Sequence, residues 1–487
     1  MLLRSHHGVV CRCPAASRSH LHSLSWPSAS ELARVRVPTL HTDLADLANA
    51  HGPTFGLPLG EVKAVVTGDP DLAEHILSPR RAGRAFGYRW EDTRHLPFAR
   101  WGQLLGSTGS TSETPGIFFG NGPAHWRTPR RACERALLHG RAVREYGESV
   151  AVEAAEGLAQ RWSLQGGSSF DVYPDIREAT LDVVTQVSFG GGDELDPELS
   201  RELRAVYSKT IDALEGLIGV PVEWWWVLRR SAAGDLKQAS SQLQALLLPH
   251  LKRRRALNIA GSSNDGTVKQ RCIIDLLLDT DMSEGAVLHN ALQILGAGHD
   301  TTATTLSLLL FHLSKDQDLQ ESVRREVLQP APSAETPATS TQRYPLLSAC
   351  VREVLRLWPA APLIVRQALE PVPPIDNFGL ELPTGTVAIV APWLLGRSAE
   401  FWEEPWLFKP QRFLGDESSR QHPFAWVPFG YGLRSCVGQH LAVAELEAFV
   451  TALLRRLRFK VVDEPDVEWF LTLRLRGELN VQVELLA

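Results

Sequence analysis

Cysteine is scarce in this chain of 487 residues, with Cys11, Cys13, Cys133, Cys272, Cys350 and Cys436 making six in all. That is too sparse for a disulfide framework, and no CxxC pair stands where a structural zinc would need one. A reducing compartment suits such usage better than a secreted one. No run of about 20 apolar residues occurs, so no membrane-spanning helix is expected. Excess positive charge is also missing: the net charge is −6, which gives no electrostatic case for a nucleic-acid partner. No glycine-rich dinucleotide fingerprint opens a βαβ unit, so the chain carries no flavin or nicotinamide site of its own. Internal repeats are absent. Finally, no acid precedes Glu31, while the first 30 residues hold Arg4, Arg12, Arg18, four histidines and seven serines. Arg- and Ser-rich, acid-poor starts are typical of organelle transit peptides. Residues 1–35 are therefore set apart as a targeting segment (mitochondrion or plastid) or a disordered tail, and 36–487 as the folded domain.

What is present is ordinary for a globular chain, 44% hydrophobic and 22% charged. Ala64–Thr67 reads as a strand, after which Asp69 caps and Pro70 opens a helix through Ala73 and Ile76. Helical periodicity runs from Arg141 to Phe189 and from Pro197 to Leu257, with a polar loop from Ala260 to Thr267. A long apolar helix follows over Ser283–Ser314, then another over Gln317–Leu328, then a loop rich in Pro, Ser and Thr to Thr341. After Arg366 the period changes. Val387–Val390 is a strand, and Leu471, Leu473, Leu475, Leu479, Val481 and Val483 alternate around Gly477 as a C-terminal hairpin. The run Lys252–Arg255 reads as a solvated helix end. The fold class is mostly α with small peripheral β-sheets.

The segment Phe429-Gly430-Tyr431-Gly432-Leu433-Arg434-Ser435-Cys436-Val437-Gly438 carries the most chemistry. It places one cysteine at the mouth of a helix expected over Gln439–Leu457. The helix N-terminus and Arg434 both favour the thiolate there. Thiolate is the metal-binding form, and haem iron held by a cysteine thiolate favours O–O cleavage. Gly430 and Gly432 let the backbone bend and turn its N–H groups toward the sulfur. Gly438 removes a side chain where a flat macrocycle would press on the backbone. The loop closely resembles the haem-binding loop of cytochromes P450, with Phe429 its first residue and Cys436 the iron ligand.

Other segments match that family in its order. Glu353 and Arg356 sit three apart on one helix face, and Pro405-Trp406-Leu407-Phe408-Lys409-Pro410-Gln411-Arg412-Phe413 matches PxxFxPxRF. By resemblance Glu353, Arg356 and Arg412 form a buried structural network bracing the cysteine loop. Ala297-Gly298-His299-Asp300-Thr301-Thr302 interrupts the long apolar helix and matches [AG]GxDT. The resemblance implies that Gly298 opens a groove beside the haem. It also implies that Asp300 and Thr301 supply protons during oxygen activation. His299 reads as a neighbouring or surface residue, since Cys436 already fills the ligand's place. Trp126 and Arg130 resemble WxxxR, which binds a haem propionate; Pro129 between them requires a first helical turn. Arg366 and Arg434 match two further propionate arginines.

The resemblance thus implies a haem b monooxygenase that inserts one atom of O2 into a lipophilic substrate. With no reductase module in the chain, electrons would come from a separate ferredoxin or flavin reductase. Arg352, before ExxR, stands where a basic docking residue is expected. Leu292, Leu295, Leu363, Ile364, Phe470 and Leu471 are candidate pocket residues. Trp224, Trp225 and Trp226, with Arg229 and Arg230, fit a peripheral membrane contact. Two other readings stay open: a peroxide isomerase or dehydratase of the same fold, and a haem-binding protein without turnover.

Overall fold

In the computed structural model, described residues are 24–36, 38–59, 62–82, 86, 116–120, 126–138, 141–191, 195–217, 224–260, 271–329, 343–375, 378–415, 421–470 and 472–486. The expected loops beyond Ala260 and Gln329 lie outside them, as does Leu471. The architecture is mostly helical with small sheets at the edge, as the sequence pattern implied. Among the described residues no helix is long and apolar enough to cross a membrane.

A central helix, Glu284–Lys315, organises the larger core. Ser283 caps it, its Oγ accepting from the Ala286 N–H at 3.3 Å. Asp316 ends it and caps the next helix, Gln317–Leu328, by accepting from the Leu319 N–H at 2.9 Å. Most of the central helix is buried because other helices cover it, chiefly Tyr173–Phe189. The helix that follows the cysteine loop, Gln439–Arg456, packs most tightly on Arg141–Ser163, where a side chain at Gly147 would stand 2.5 Å from Leu441 Cδ1. Asp69 and Pro70 act as expected. The Asp69 carboxylate accepts from the Asp71 and Leu72 N–H groups, and Pro70 occupies the first turn of Pro70–Leu77.

The main sheet is ordered β1 (Thr54–Leu59), β2 (Val62–Thr67), β7 (Val387–Val390), β4 (Ile364–Gln367). Within this sheet only β2 and β7 run parallel, with Val65 opposite Ala388; Arg366 on β4 lies opposite Ala388 in turn. Val372–Ile375 (β5) pairs antiparallel with Leu380–Leu382 (β6) as a separate ribbon. The C-terminal expectation needs correction. Gly477 does turn the chain, at φ +94°, but its two arms do not pair with each other. Leu473–Leu475 (β10) pairs with Val467–Trp469 (β9), and Asn480–Leu485 (β11) lies between Ser169–Asp171 (β3) and Leu457–Val461 (β8). The alternation was real; its partners are elsewhere in sequence, and alternation alone cannot say which edge a strand joins.

Part of the N-terminal segment set apart above packs on the main sheet. A chain folded only from residue 36 would leave Trp26 outside, yet the indole lies on Gly56 of β1, and Ser25 O accepts from the Gly56 N–H at 2.9 Å. Glu31 Oε1 meets His51 Nε2 at 3.0 Å. The packed body begins by Leu24; residues 1–23 lie outside the described part.

Candidate active site

The cysteine loop is held from both ends. Trp426 Nε1 donates to the Arg352 carbonyl at 3.0 Å, and its ring meets Phe429 edge-on at 6.5 Å. Gly430 and Gly432 take φ +68° and +71°, which a side chain would strain, and a Cβ on Gly432 would stand 2.5 Å from Leu77 O. The Cys436 N–H closes the loop on Phe429 O at 2.8 Å. Cys436 is exposed, whereas Cys133, Cys272 and Cys350 are buried. Burial pushes the Cys133 and Cys272 thiols up to about 12, which makes them inert. Gly438 is the N-cap of the following helix, and a Cβ there would lie 3.9 Å from the Cys436 sulfur. The loop therefore presents one accessible thiol with a glycine beside the sulfur, which fits a flat metal-bearing ligand.

Basic groups gather around this loop. Arg434 is buried, sits 3.8 Å from the Trp126 ring centroid and donates to Gly120 O at 2.8 Å. Arg130 donates to Ser435 O and, at 3.3 Å, to Ser435 Oγ, while its Nε reaches Glu134 at 2.6 Å. Pro129 falls in the first turn of the helix Thr128–Cys133, which is what tolerates it. Arg366 is buried on β4, whose Ile364 Cδ1 lies 3.9 Å from where a Gly430 Cβ would be. The structure thus brings Trp126, Arg130 and Arg434 onto one loop and sets Arg366 on the adjoining strand.

Behind the loop, Glu353 and Arg356 on the helix Pro345–Leu357 form a wholly buried pair, 2.7 Å and 2.8 Å. Arg412 reaches the same carboxylate at 3.1 Å, and the Lys409 N–H donates to it at 2.8 Å. The remaining guanidinium donors go to carbonyls, those of Pro405 and Leu407 from Arg356 and those of Glu403 and Glu404 from Arg412. A buried charge cluster with its members paired is a brace. The Arg352 cation lies 4.3 Å from the Phe413 centroid and 5.1 Å from Trp426, so it stacks half-buried beside the loop.

On the central helix, Ala297 is exposed and Thr301, one turn on, is part-exposed. Thr301 Oγ1 donates to Ala297 O at 2.7 Å. Gly298 faces elsewhere than expected: a Cβ there would stand 2.7 Å from Val184 Cγ2, so its glycine serves close helix packing. Asp300 Oδ1 lies 3.4 Å from Arg177 Nη2 and 3.1 Å from His299 Nδ1. His299 is not a surface residue; it is buried edge-on to Tyr207, and burial holds its imidazole below the usual range. Leu292 and Leu295 are fully buried in the main core, off the Ala297–Thr301 face. Sequence reading missed Asn290 and Gln293, two amides three apart in an apolar run, which do share that face.

A family model described as Cytochrome P450 matches residues 26–483. The chain belongs to the cytochrome P450 family. It is therefore a haem enzyme of the monooxygenase class. A 3,9-dihydroxypterocarpan 6A-monooxygenase of Glycine max is 25% identical over 448 residues, 87% of this chain and 84% of that protein. A steroid 17-alpha-hydroxylase/17,20 lyase of Mesocricetus auratus is 24% identical over 457 residues, 91% and 85% of the two chains. The crystal structure of the cytochrome P450DA heme domain superposes with a TM-score of 0.74 at 20% identity, covering 97% of this chain and 96% of that one.

Proposed function

We propose that this P450 uses haem b, bound through Cys436, to insert one oxygen atom of O2 into a lipophilic organic substrate, the other atom leaving as water. The observation that carries this is the exposed Cys436 thiol at a helix mouth with Gly438 beside the sulfur. When bound, the haem supplies oxygen activation, and a thiolate ligand favours O–O cleavage. Trp126, Arg130, Arg366 and Arg434 would hold the two propionates; Arg–carboxylate pairing is strong where water is excluded. Phe429 packs against the main core, and its carbonyl accepts from the Cys436 N–H. Thr301 Oγ1 spends its proton on Ala297 O and so offers its lone pairs to a proton donor. Asp300 is engaged by Arg177 and must leave that partner to carry a proton inward.

Electrons come from a separate ferredoxin or flavin reductase in this reading. The relatives' names, a pterocarpan monooxygenase and a steroid hydroxylase, support a substrate with large apolar surface. Peripheral membrane contact is part of the proposal: Trp224, Trp226, Val227 and Leu228 each expose half or more of their surface, while Trp225 is buried. The deciding experiment is the reduced carbon monoxide spectrum of wild type and Cys436→Ser, followed by turnover under 18O2 with a supplied reductase. A thiolate-type Soret band lost in Cys436→Ser, with one labelled oxygen in the product, is expected. A band that survives the substitution overturns the assignment. Thr301→Ala should keep that band but divert reducing equivalents to hydrogen peroxide; unchanged coupling removes Thr301 from the proton path.

A further inference from the structure

Asn290, Gln293, Ala297 and Thr301 follow one another by three or four residues and so lie on one stripe of the central helix. Ala297 and Thr301 leave that stripe accessible, but Asn290 and Gln293 are buried under the short segment Gly116–Gly120. The cover is held by its backbone. Asn290 Oδ1 accepts from the Ile117 N–H at 2.7 Å, and Gln293 Oε1 accepts from the Phe118 N–H at 2.8 Å. Each amide is itself oriented: Asn290 Nδ2 donates to Ala286 O at 2.7 Å, and Gln293 Nε2 meets His289 Nε2 at 2.7 Å. Gly116 has φ +72°, and a Cβ there would stand 2.6 Å from the Gln293 amide, so glycine admits this approach. At its other end the segment gives Gly120 O to Arg434 of the cysteine loop. Five residues therefore run from the latched stripe to the loop that carries Cys436.

We propose that Asn290 and Gln293 are positioning residues that fix Gly116–Gly120 as a wall of the substrate space and so set which substrate sizes enter. The proposal rests on the haem reading above, and its test separates the two. Asn290→Leu and Gln293→Met keep the volume and delete the acceptors; Gln293→Glu keeps the oxygen that accepts from Phe118 N–H and can accept from His289 Nε2 as well. Amide hydrogen exchange of holoenzyme, read on the 116–120 peptide, should quicken about tenfold in the two apolar variants, as loss of one net hydrogen bond implies, and stay near wild type in Gln293→Glu. Binding of 4-phenylimidazole and of the bulkier clotrimazole, followed by absorbance, should shift unequally, the ratio of their Kd values changing about fivefold or more. Unchanged exchange in both apolar variants, or equal shifts for both azoles, overturns the latch. So does loss of haem in both apolar variants with native circular dichroism, since the amides would then serve cofactor retention. A wild-type protein without the carbon monoxide band would instead sink the haem reading, leaving the exchange result to stand by itself.

Discussion

Arg434 sits over the Trp126 indole, Cζ 3.8 Å from the ring centroid, and spends Nη2 on the Gly120 carbonyl at 2.8 Å. One side chain thus ties the cysteine loop to the start of an early helix and to the segment latched on the central helix. A cation with a flat fork suits this; an ammonium does not. Arg434→Lys should keep the charge yet weaken haem retention by about 1–3 kcal/mol, from the lost stacking and hydrogen bond. Transfer of haem to an acceptor protein measures it, and retention equal to wild type would show the stacking to be incidental.

Glu353 is the only acid in a cluster with Arg356 and Arg412, among the described residues that the cluster joins. Glu353→Gln leaves two buried guanidinium groups without their counter-charge, at a cost of about 3–5 kcal/mol. The urea midpoint should fall accordingly and the protein should accumulate without haem. Near-wild-type stability would mean that the carbonyl acceptors alone satisfy the arginines.

That cluster was legible in the sequence because two separate motifs converge on it, and only burial was left to establish. Where reading failed, the missing quantity was helical phase or strand partner. Four consecutive cations, Lys252 to Arg255, look solvated from composition, yet Arg254 is fully buried while its neighbours are not. The partner that makes this affordable, Asp275, lies on a different helix, Ile273–Leu278. Gly298 was expected to open a groove beside the haem, whereas the contact it makes is with Val184, far away in sequence. The central helix and the one after it were read almost to their ends because the caps Ser283 and Asp316 are local. The periodic run from Arg141 to Phe189, by contrast, is two helices, Arg141–Ser163 and Tyr173–Phe189, with the strand Ser169–Asp171 between them.

Arg254 donates from Nε to Asp275 at 2.9 Å and from Nη2 to the same carboxylate and to the Cys272 sulfur. Burial alone would raise the Asp275 carboxyl, but Arg254 and the Cys272 N–H together hold it below its ordinary value. Arg254→Met should cost about 3–5 kcal/mol by stranding that charge, and Arg254→Met with Asp275→Leu should recover at least half of it. Chemical denaturation of both variants checks this. A double variant no better than the single one would show that packing, not charge, is lost.

His312 is stacked on Phe408 at 4.3 Å, and its Nε2 accepts from Trp358 Nε1 at 3.0 Å. Burial first, then Arg356, Arg397 and Lys315, bring its imidazole down from 6.5 to about 4. The unfolded chain therefore takes up this proton before the folded one as pH falls. The stability tied to the neutral ring is complete above the unfolded value and is lost from there down to about 4, by on the order of 3 kcal/mol. His41, also lowered to about 4 by burial, adds a slope of the same sign. His312→Gln should shrink the difference between urea midpoints taken near pH 5 and pH 7. If the variant and wild type lose equal stability over that interval, another group carries the titration.

Trp26 is the test of where the fold begins. Its indole lies where a Cβ on Gly56 would be, 2.4 Å from Cε2, and the Gly56 N–H is taken by Ser25 O. A chain starting at Leu24 should match the full chain in Tm and carbon monoxide spectrum. One starting at Pro38 should melt a few degrees lower, by about 2–3 kcal/mol for the half-buried tryptophan and its neighbours. Fusing residues 1–23 to a fluorescent protein asks separately whether they address an organelle; a diffuse signal would reject that. Gly56→Ala makes the packing argument sharper. In the longer chain the added methyl must displace Trp26 and should destabilise it. In the chain starting at Pro38 the indole is gone, and alanine in a strand should be harmless or mildly favourable. Equal effects of Gly56→Ala in both backgrounds would place Trp26 off the sheet and return the boundary to residue 36.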